Sequence, residues 1–323
     1  MIKKISFFGL LSLLWVACES KVPEQKIVQM EESVPETKIF QGIGLLGDSL
    51  FTEVDSASQS GQTNKLMEAE KLYGEESSLE NLIWIGRREA YLGRYDLAIR
   101  TFSKAAKQFP DSFEPLRHRG HRFISTREFD RAILDFVKAA ELMENLPLQI
   151  EADGMPNKLN IPLSNGQFNV WYHLGLAYYL KNDWEKALEA YKKCLEVSDN
   201  DDLIVATLDW YYMTLVKMGK TKEAQSLIKA VNANMTIVEN DAYFKRILMY
   251  KGQLKPESLI DVDAASEDQK LQYVTQGYGL GNYYLSIGDT AKAKSIFENV
   301  LSSGYWSAFG YIAAEMELAG LKK

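Results

Sequence analysis

The chain has 323 residues, 46% of them hydrophobic and 25% charged, the balance of an ordinary globular protein. Its 37 basic and 44 acidic side chains leave a formal charge of −7, which repels polyanions and argues against nucleic acid as a ligand. Cys18 and Cys194 are the two cysteines, too few for a disulfide framework.

At the start of the chain, Lys3 and Lys4 precede an apolar run from Ile5 to Val16, and small Ala17 stands directly before Cys18. These are the parts of a secretory signal. The run falls short of the ~20 apolar residues that a membrane-spanning helix needs. Leu14, Trp15, Val16, Ala17 and Cys18 resemble the lipobox of bacterial lipoproteins, although the family usually has an aliphatic residue where Trp15 stands. The resemblance implies a signal peptide over 1–17, acylation of Cys18, and lipid anchoring to a membrane of the cell envelope. Glu19, where aspartate would mark inner-membrane retention, favours the outer membrane. Removing Lys3 and Lys4 leaves 37 − 2 = 35 basic against 44 acidic residues, a charge of −9. An uncleaved apolar helix, or a plain secretory signal with a free cysteine, is the alternative reading.

Residues 18–60 are polar and acidic and lack sustained periodicity, which predicts a flexible tether. Ile39 to Phe51 is its one apolar stretch, able to dock back on the folded body. Within it, Gly42, Gly44 and Gly47 spell the G-x-G-x-x-G dinucleotide fingerprint, but a polar tether precedes them and no parallel-sheet pattern follows, where that loop needs a strand before it and a helix after it. Gly47, Asp48, Ser49 and Leu50 resemble the nucleophile block of GDSL-type esterases. Those enzymes need a late Asp-x-x-His, and this chain has no histidine after His173. No catalytic residue, cofactor or metal is assigned.

From Leu79 onward an internal period appears. Lys65–Tyr73 is predicted to form an amino-terminal helix. A Gly-x-aromatic-x-x-Ala pattern gives Gly93, Tyr95 and Ala98, then Phe129 and Ala132, then Trp184 and Ala187. Ala98 and Ala132 are 34 residues apart, Ala187 and Ala224 are 37, and Ala224 and Ala293 are 69, near two periods with one degenerate unit between. Trp171, Leu174, Gly175, Tyr178, Trp184, Ala187 and Tyr191 carry the fullest unit. Together these residues resemble the tetratricopeptide repeat, a pair of antiparallel helices in which small residues sit at the close helix crossing and aromatics fill the wedge. The reading is an all-α helical-hairpin solenoid over 61–323, of about five repeats, one degenerate, with a capping helix over Trp306–Leu318. Cys194 takes a small-residue position and is expected to be a buried, inert thiol.

The resemblance places the first helix of each repeat along a concave groove. That puts Arg87, Tyr91, Arg117, His121, Ser125, Tyr172, Tyr179, Asp209, Tyr278 and Asn282 on the partner-binding wall. Basic and tyrosine side chains suit extended peptides, carboxylates or sugars. Between Ala132 and Ala187 lie 55 residues, one period plus a surplus of 21 that forms an insertion at about 146–167. His118, His121 and His173 fall beside it, and with Arg122, Asp153 and Asn157 they compose a candidate polar pocket. Zinc is conceivable there, but Arg122, one turn from His118, opposes a cation, and structural hydrogen bonding to the insertion leads. The chain thus reads as a non-enzymatic envelope scaffold that binds a protein or peptide partner. The alternative is a binder of a small anionic or carbohydrate ligand at the histidine–arginine junction.

Overall fold

A computed structural model describes residues 38–53, 60–152, 157–260 and 267–321. Cys18 and the signal segment, and Asp153 of the candidate pocket, lie outside the described residues.

The described chain is helical apart from one β-hairpin, and the fold is an all-α tetratricopeptide-type solenoid. The hairpin comprises β1 (Lys38–Ile43) and β2 (Ser49–Glu53), antiparallel, with an irregularity at Gln41. A lone helix α1 (Ser60–Glu75) leads into four successive helical hairpins: α2 (Leu79–Tyr91) with α3 (Tyr95–Gln108), α4 (Glu114–Ser125) with α5 (Phe129–Met143), α6 (Gly166–Leu180) with α7 (Trp184–Glu196), and α8 (Asp201–Lys217) with α9 (Thr221–Leu227). The degenerate unit contributes only α10 (Asp241–Tyr250) and a short 3-10 turn at Pro256–Ser258. A fifth hairpin, α11 (Glu267–Ser286) with α12 (Thr290–Ser302), precedes the capping helix α13 (Phe309–Leu321), which runs through Gly320 rather than ending before it.

The repeat register has a direct steric cause. Ala98, Ala132, Ala187, Ala224 and Ala293 are all fully buried. Opposite them, a glycine on the first helix of a hairpin meets an aromatic ring on the second. A Cβ on Gly86, Gly120, Gly175 or Gly281 would come within 2.3–2.8 Å of Phe102, Phe136, Tyr191 or Phe297 respectively. Each ring therefore fills the space the missing side chain leaves, and the helices close to native packing density. Helix starts are fixed locally as well: Ser78, Asn165 and Asn200 accept hydrogen bonds from the backbone N–H groups of Asn81, Phe168 and Leu203.

Five residues before each of those alanines, the turn takes the left-handed conformation, at Gly93, Arg127, Asn182, Gly219 and Gly288. Glycine suits this region, and a residue with a Cβ is strained there. Arg127, at φ 66°, is therefore a position where something else must hold the backbone. Its guanidinium donates from Nε to Glu315 of α13 at 2.9 Å, and to the carbonyl oxygens of Ser125 and Trp306 at 2.5 and 2.9 Å. The second repeat is thereby joined to the last helix, and the solenoid closes on itself.

The acidic tether expected over 18–60 does not extend uniformly. Residues 38–53 are folded onto the solenoid, because the hairpin offers two side-chain groups and one backbone carbonyl to the same closure. Thr52 Oγ1 donates to Gly93 O at 3.0 Å, Trp306 Nε1 to Phe51 O at 2.8 Å, and Tyr95 N to Gln41 Oε1 at 3.2 Å. Gly42 lies against Thr126, and a Cβ at Gly44 would meet Glu315 Oε1 at 2.3 Å. The glycine-rich stretch Gly42–Gly47 is the bend of this hairpin, where Gly44 N donates to Asp48 O, so it forms no strand-to-helix phosphate loop.

Candidate functional site

Helix α4 carries the densest concentration of polar chemistry. Arg117, His118, His121, Arg122 and Ser125 recur at three- and four-residue spacings, which places them on neighbouring stripes of one helix. His118 and His173 occupy equivalent repeat positions, two before Gly120 and Gly175, and both stack on the aromatic ring of the preceding hairpin. His118 lies 5.2 Å from Phe102 and His173 lies 5.8 Å from Phe136, at interplanar angles of 17° and 16°. Their first role is thus to fill the seam between hairpins.

The structure brings His121 and His173 together at 4.5 Å between ring centroids, with Phe309 of α13 against both. His118 points instead toward Phe102 and the Arg117 guanidinium, which donates to its Nδ1 at 2.8 Å. His173 Nδ1 donates to Asn169 O at 2.5 Å. Burial, and then the nearby guanidiniums, hold all three imidazoles neutral; His118 and His121 lie well below the ordinary value and His173 falls to about 3. Among the described residues no group of three His, Cys, Asp or Glu side chains could hold a metal ion.

The expected hydrogen bonds from histidine to the insertion are replaced by others. Arg117 pairs with Glu151 at 2.9 Å, Gln167 bonds Pro147 O and Gln149 N, and Asn169 bonds Glu151 and Ser164. Asn157 does not join the pocket. Its side chain organises its own loop through Leu159, Ile161 and Glu239.

A cavity of about 130 Å³ opens where α2, α4 and the insertion meet, lined by Arg87, Tyr91, Arg117, His118, His121, Arg122 and Glu151 among others. It adjoins two larger clefts of about 440 Å³ each. One shares His121 and Arg122 and runs to Tyr243, Leu271 and Phe309. The other shares Arg87, His118 and Glu151 and runs to Ile83 and Trp84. Arg87, Tyr91, Arg117, His121 and Ser125, predicted as groove wall, all border this row of clefts.

The remaining predicted groove residues are corrected. Tyr172, Tyr179, Asp209, Tyr278 and Asn282 are buried and present no wall to solvent. Tyr172 donates to the Tyr243 hydroxyl at 2.9 Å, the Tyr179 and Tyr278 hydroxyls bond at 2.6 Å, and Asp209 pairs with Arg246 at 2.7 Å. Trp210 stacks on Tyr278, Tyr179 meets Trp210 edge-on, and Glu317 of α13 pairs with Lys217. Here the inner faces of α6, α8 and α11 meet one another and α13, because α6 and α8 are apolar around most of their circumference. Among the described residues, the predicted groove positions that border open clefts are those of the first two hairpins.

Arg127 and Glu315 were not singled out by the sequence. The available signal was a charged residue at a repeat position that favours glycine. Cys194 is fully buried, and burial pushes its thiol up to about 12, as an inert core residue requires.

Residues 85–147, 168–201 and 278–303 each match a tetratricopeptide repeat family model, so the chain carries tetratricopeptide repeats. The chain is 23% identical over 242 residues to anaphase-promoting complex subunit CDC16 of Saccharomyces cerevisiae, covering 67% of this chain and 28% of that one. It is 27% identical over 136 residues to BBSome complex member BBS4 of Bos taurus, covering 42% and 22%. Against small glutamine-rich tetratricopeptide repeat-containing protein 2 of Saccharomyces cerevisiae, identity is 26% over 198 residues, covering 57% and 49%. The chain thus spans from under a quarter to about half the length of these curated relatives. Similar solved structures include a tetratricopeptide repeat protein from Parabacteroides merdae, at TM-score 0.47 and 14% identity over 82% of this chain and 95% of that one. Another is YrrB, described as a TPR protein with an unusual peptide-binding site, at TM-score 0.41 and 15% identity over 73% and 91%.

Proposed function

We propose that the protein is a non-enzymatic interaction scaffold of the cell envelope, lipid-anchored through Cys18, that receives an extended segment of a protein partner along the clefts that border its first two hairpins and reach α11 and α13. The observation that carries this reading is the row of three adjoining clefts, apolar at Trp84 and Ile83, basic at Arg87 and Arg122, and apolar again at Leu271 and Phe309. An extended peptide presents alternating apolar and polar groups at such a surface, and amphipathic aromatic and arginine side chains are the usual anchors of an interface. The repeats themselves support it, since solenoid hairpins stack to create extended binding surfaces. Two of the curated relatives are named as members of multiprotein complexes, which is in keeping with an assembly role.

A photo-crosslinking amino acid placed at Tyr91 or Leu271 should trap a discrete protein adduct in cells, and one placed at exposed Lys138 should not. Adducts from Lys138 alone would reject the cleft as the partner surface. The anchor is tested by Cys18→Ser, which should move the protein from the membrane fraction to the soluble one. Continued sedimentation of this variant with membranes after a high-salt wash would reject lipidation at that cysteine.

A further inference from the structure

We infer that the cavity bordered by α2, α4 and the start of the insertion binds a phosphate-sized dianion through the guanidiniums of Arg87, Arg117 and Arg122. The first observation is a charge imbalance. Three guanidiniums line the cavity with one carboxylate, Glu151, an excess of 3 − 1 = 2 positive charges, while the imidazoles of His118 and His121 are held neutral. Glu151 bonds to Arg117 alone among the three. Among the described residues Arg87 and Arg122 have no carboxylate partner. Each lies over an aromatic face instead, Arg87 over Trp84 at 4.2 Å and Arg122 over Tyr95 at 4.9 Å, and Arg87 also donates one long bond, of 3.4 Å, to the Tyr91 hydroxyl. Stacking fixes the plane of a guanidinium and leaves its N–H edge available for an oxyanion.

The second observation is an unmet donor. Arg117 is 8% exposed, and its Nε has no hydrogen-bond partner among the described residues. A buried donor left unpaired is costly, so a group that completes it is favoured. The third is size. A volume of about 130 Å³ holds one tetrahedral oxyanion, and because the cavity opens to the adjoining clefts, a free anion and the terminal phosphate of a larger ligand both fit. A phosphate group carries about −1.5 to −2 at neutral pH and accepts bidentate bonds from arginine, which matches the excess of two; a carboxylate would neutralise half of it. Glu80 and Glu114 stand in the cleft on one side and Glu239 in the cleft on the other, so the positive excess is confined to the cavity. The cavity shares Arg122 with one cleft and Arg87 with the other, so the anion would sit at the basic middle of the proposed peptide surface, but its binding is measurable on the chain alone.

The test is calorimetric titration of the purified chain, in a phosphate-free buffer at constant ionic strength, with inorganic phosphate, phosphoserine or acetate. Phosphate should bind and raise the thermal midpoint, and acetate should do neither at the same concentration. Phosphoserine binding as well as phosphate would identify the terminal group of a monoester as the ligand; phosphate binding alone would identify the free ion. Both outcomes support the site. Arg87→Gln and Arg122→Gln should each weaken phosphate binding roughly tenfold or more, the loss of one charge-assisted pair, and Glu151→Gln should strengthen it. Ligand-free melting of each variant checks the fold, and two separate arginine variants keep the test valid should one of them unfold. No response to phosphate up to about 10 mM, equal responses to phosphate and acetate, or unchanged affinity in both arginine variants would overturn the inference. None of these readouts requires a protein partner, so their failure leaves the scaffold reading standing, and the reverse holds too.

Discussion

Arg127 sets two lines of reasoning against each other. Repeat logic says that Arg127→Gly should stabilise the protein. The residue sits at φ 66° in a turn where the equivalent positions of three other hairpins are Gly93, Gly219 and Gly288, and relieving that strain is worth about 1 kcal/mol. The structure says the opposite. The Arg127–Glu315 pair is 3% and 2% exposed, and the guanidinium also satisfies the carbonyl oxygens of Ser125 and Trp306. Deleting it leaves a buried carboxylate without compensation, which costs about 3–5 kcal/mol. The net expectation is a loss of about 2–4 kcal/mol, a fall in midpoint of roughly 5–15 °C for a domain of this size. The loss should be local in origin, so hydrogen exchange should accelerate first in α13 and in the turn between α4 and α5. Adding Glu315→Gln to Arg127→Gly should recover part of the loss, since an amide is far less costly to bury than an unpaired carboxylate. An Arg127→Gly protein that melts at or above the parent temperature would refute closure of the solenoid by this pair.

Three further outcomes follow from the packing. Ala187→Leu should cost ~1–3 kcal/mol by overpacking a fully buried crossing, while exposed Lys186→Leu should change stability by no more than about 0.5 kcal/mol, both read from thermal melts. Asp209→Ala should cost about 3–5 kcal/mol because it strands Arg246 in the core, and the double replacement Asp209→Leu with Arg246→Met should recover much of this in a denaturation series. Burial lowers the proton affinity of the three histidines in the folded state, so the unfolded chain binds more protons below pH 6.5. Stability is therefore full above that pH and falls by about 1.4 kcal/mol per pH unit per histidine on acidification, the His173 share ending near pH 3. A His173→Gln variant should show a shallower fall in midpoint between pH 6 and pH 4, and an unchanged slope would count against a neutral buried His173.

The repeat architecture was legible because its cause is local and recurrent. A small residue must stand wherever two helices of a hairpin cross, and Ala98, Ala132, Ala187, Ala224 and Ala293 mark those crossings at nearly constant intervals. Glycine against a ring, as in Gly175 and Tyr191, is a second constraint of the same kind. The hairpin at 38–53 was less legible. Its strands are short, its pairing slips at Gln41, and its docking depends on Gly93, Tyr95 and Trp306, residues 41 to 255 positions distant. Short-range pattern carries no information about partners so far away.

The site divides along the same line. Repeat position assigns residues to the inner face of the array, but facing inward is a different property from facing a ligand. Which of the two applies depends on how tightly the superhelix winds, a sum over every hairpin-to-hairpin rotation. In the first two hairpins the inward residues are Arg87, Tyr91, Arg117 and Arg122, charged or amphipathic groups that resist complete desolvation and keep a cleft open. From the third hairpin onward they are Tyr172, Tyr179, Trp210 and Tyr278, which gain by burying against one another, and the winding closes over them. The run Phe168–Leu180 already contains this distinction, since a helix apolar on all sides has no face left to offer water. Where such a helix appears in a repeat array, its inward tyrosines belong to the core. The binding surface then lies in the neighbouring repeats whose inward positions are charged.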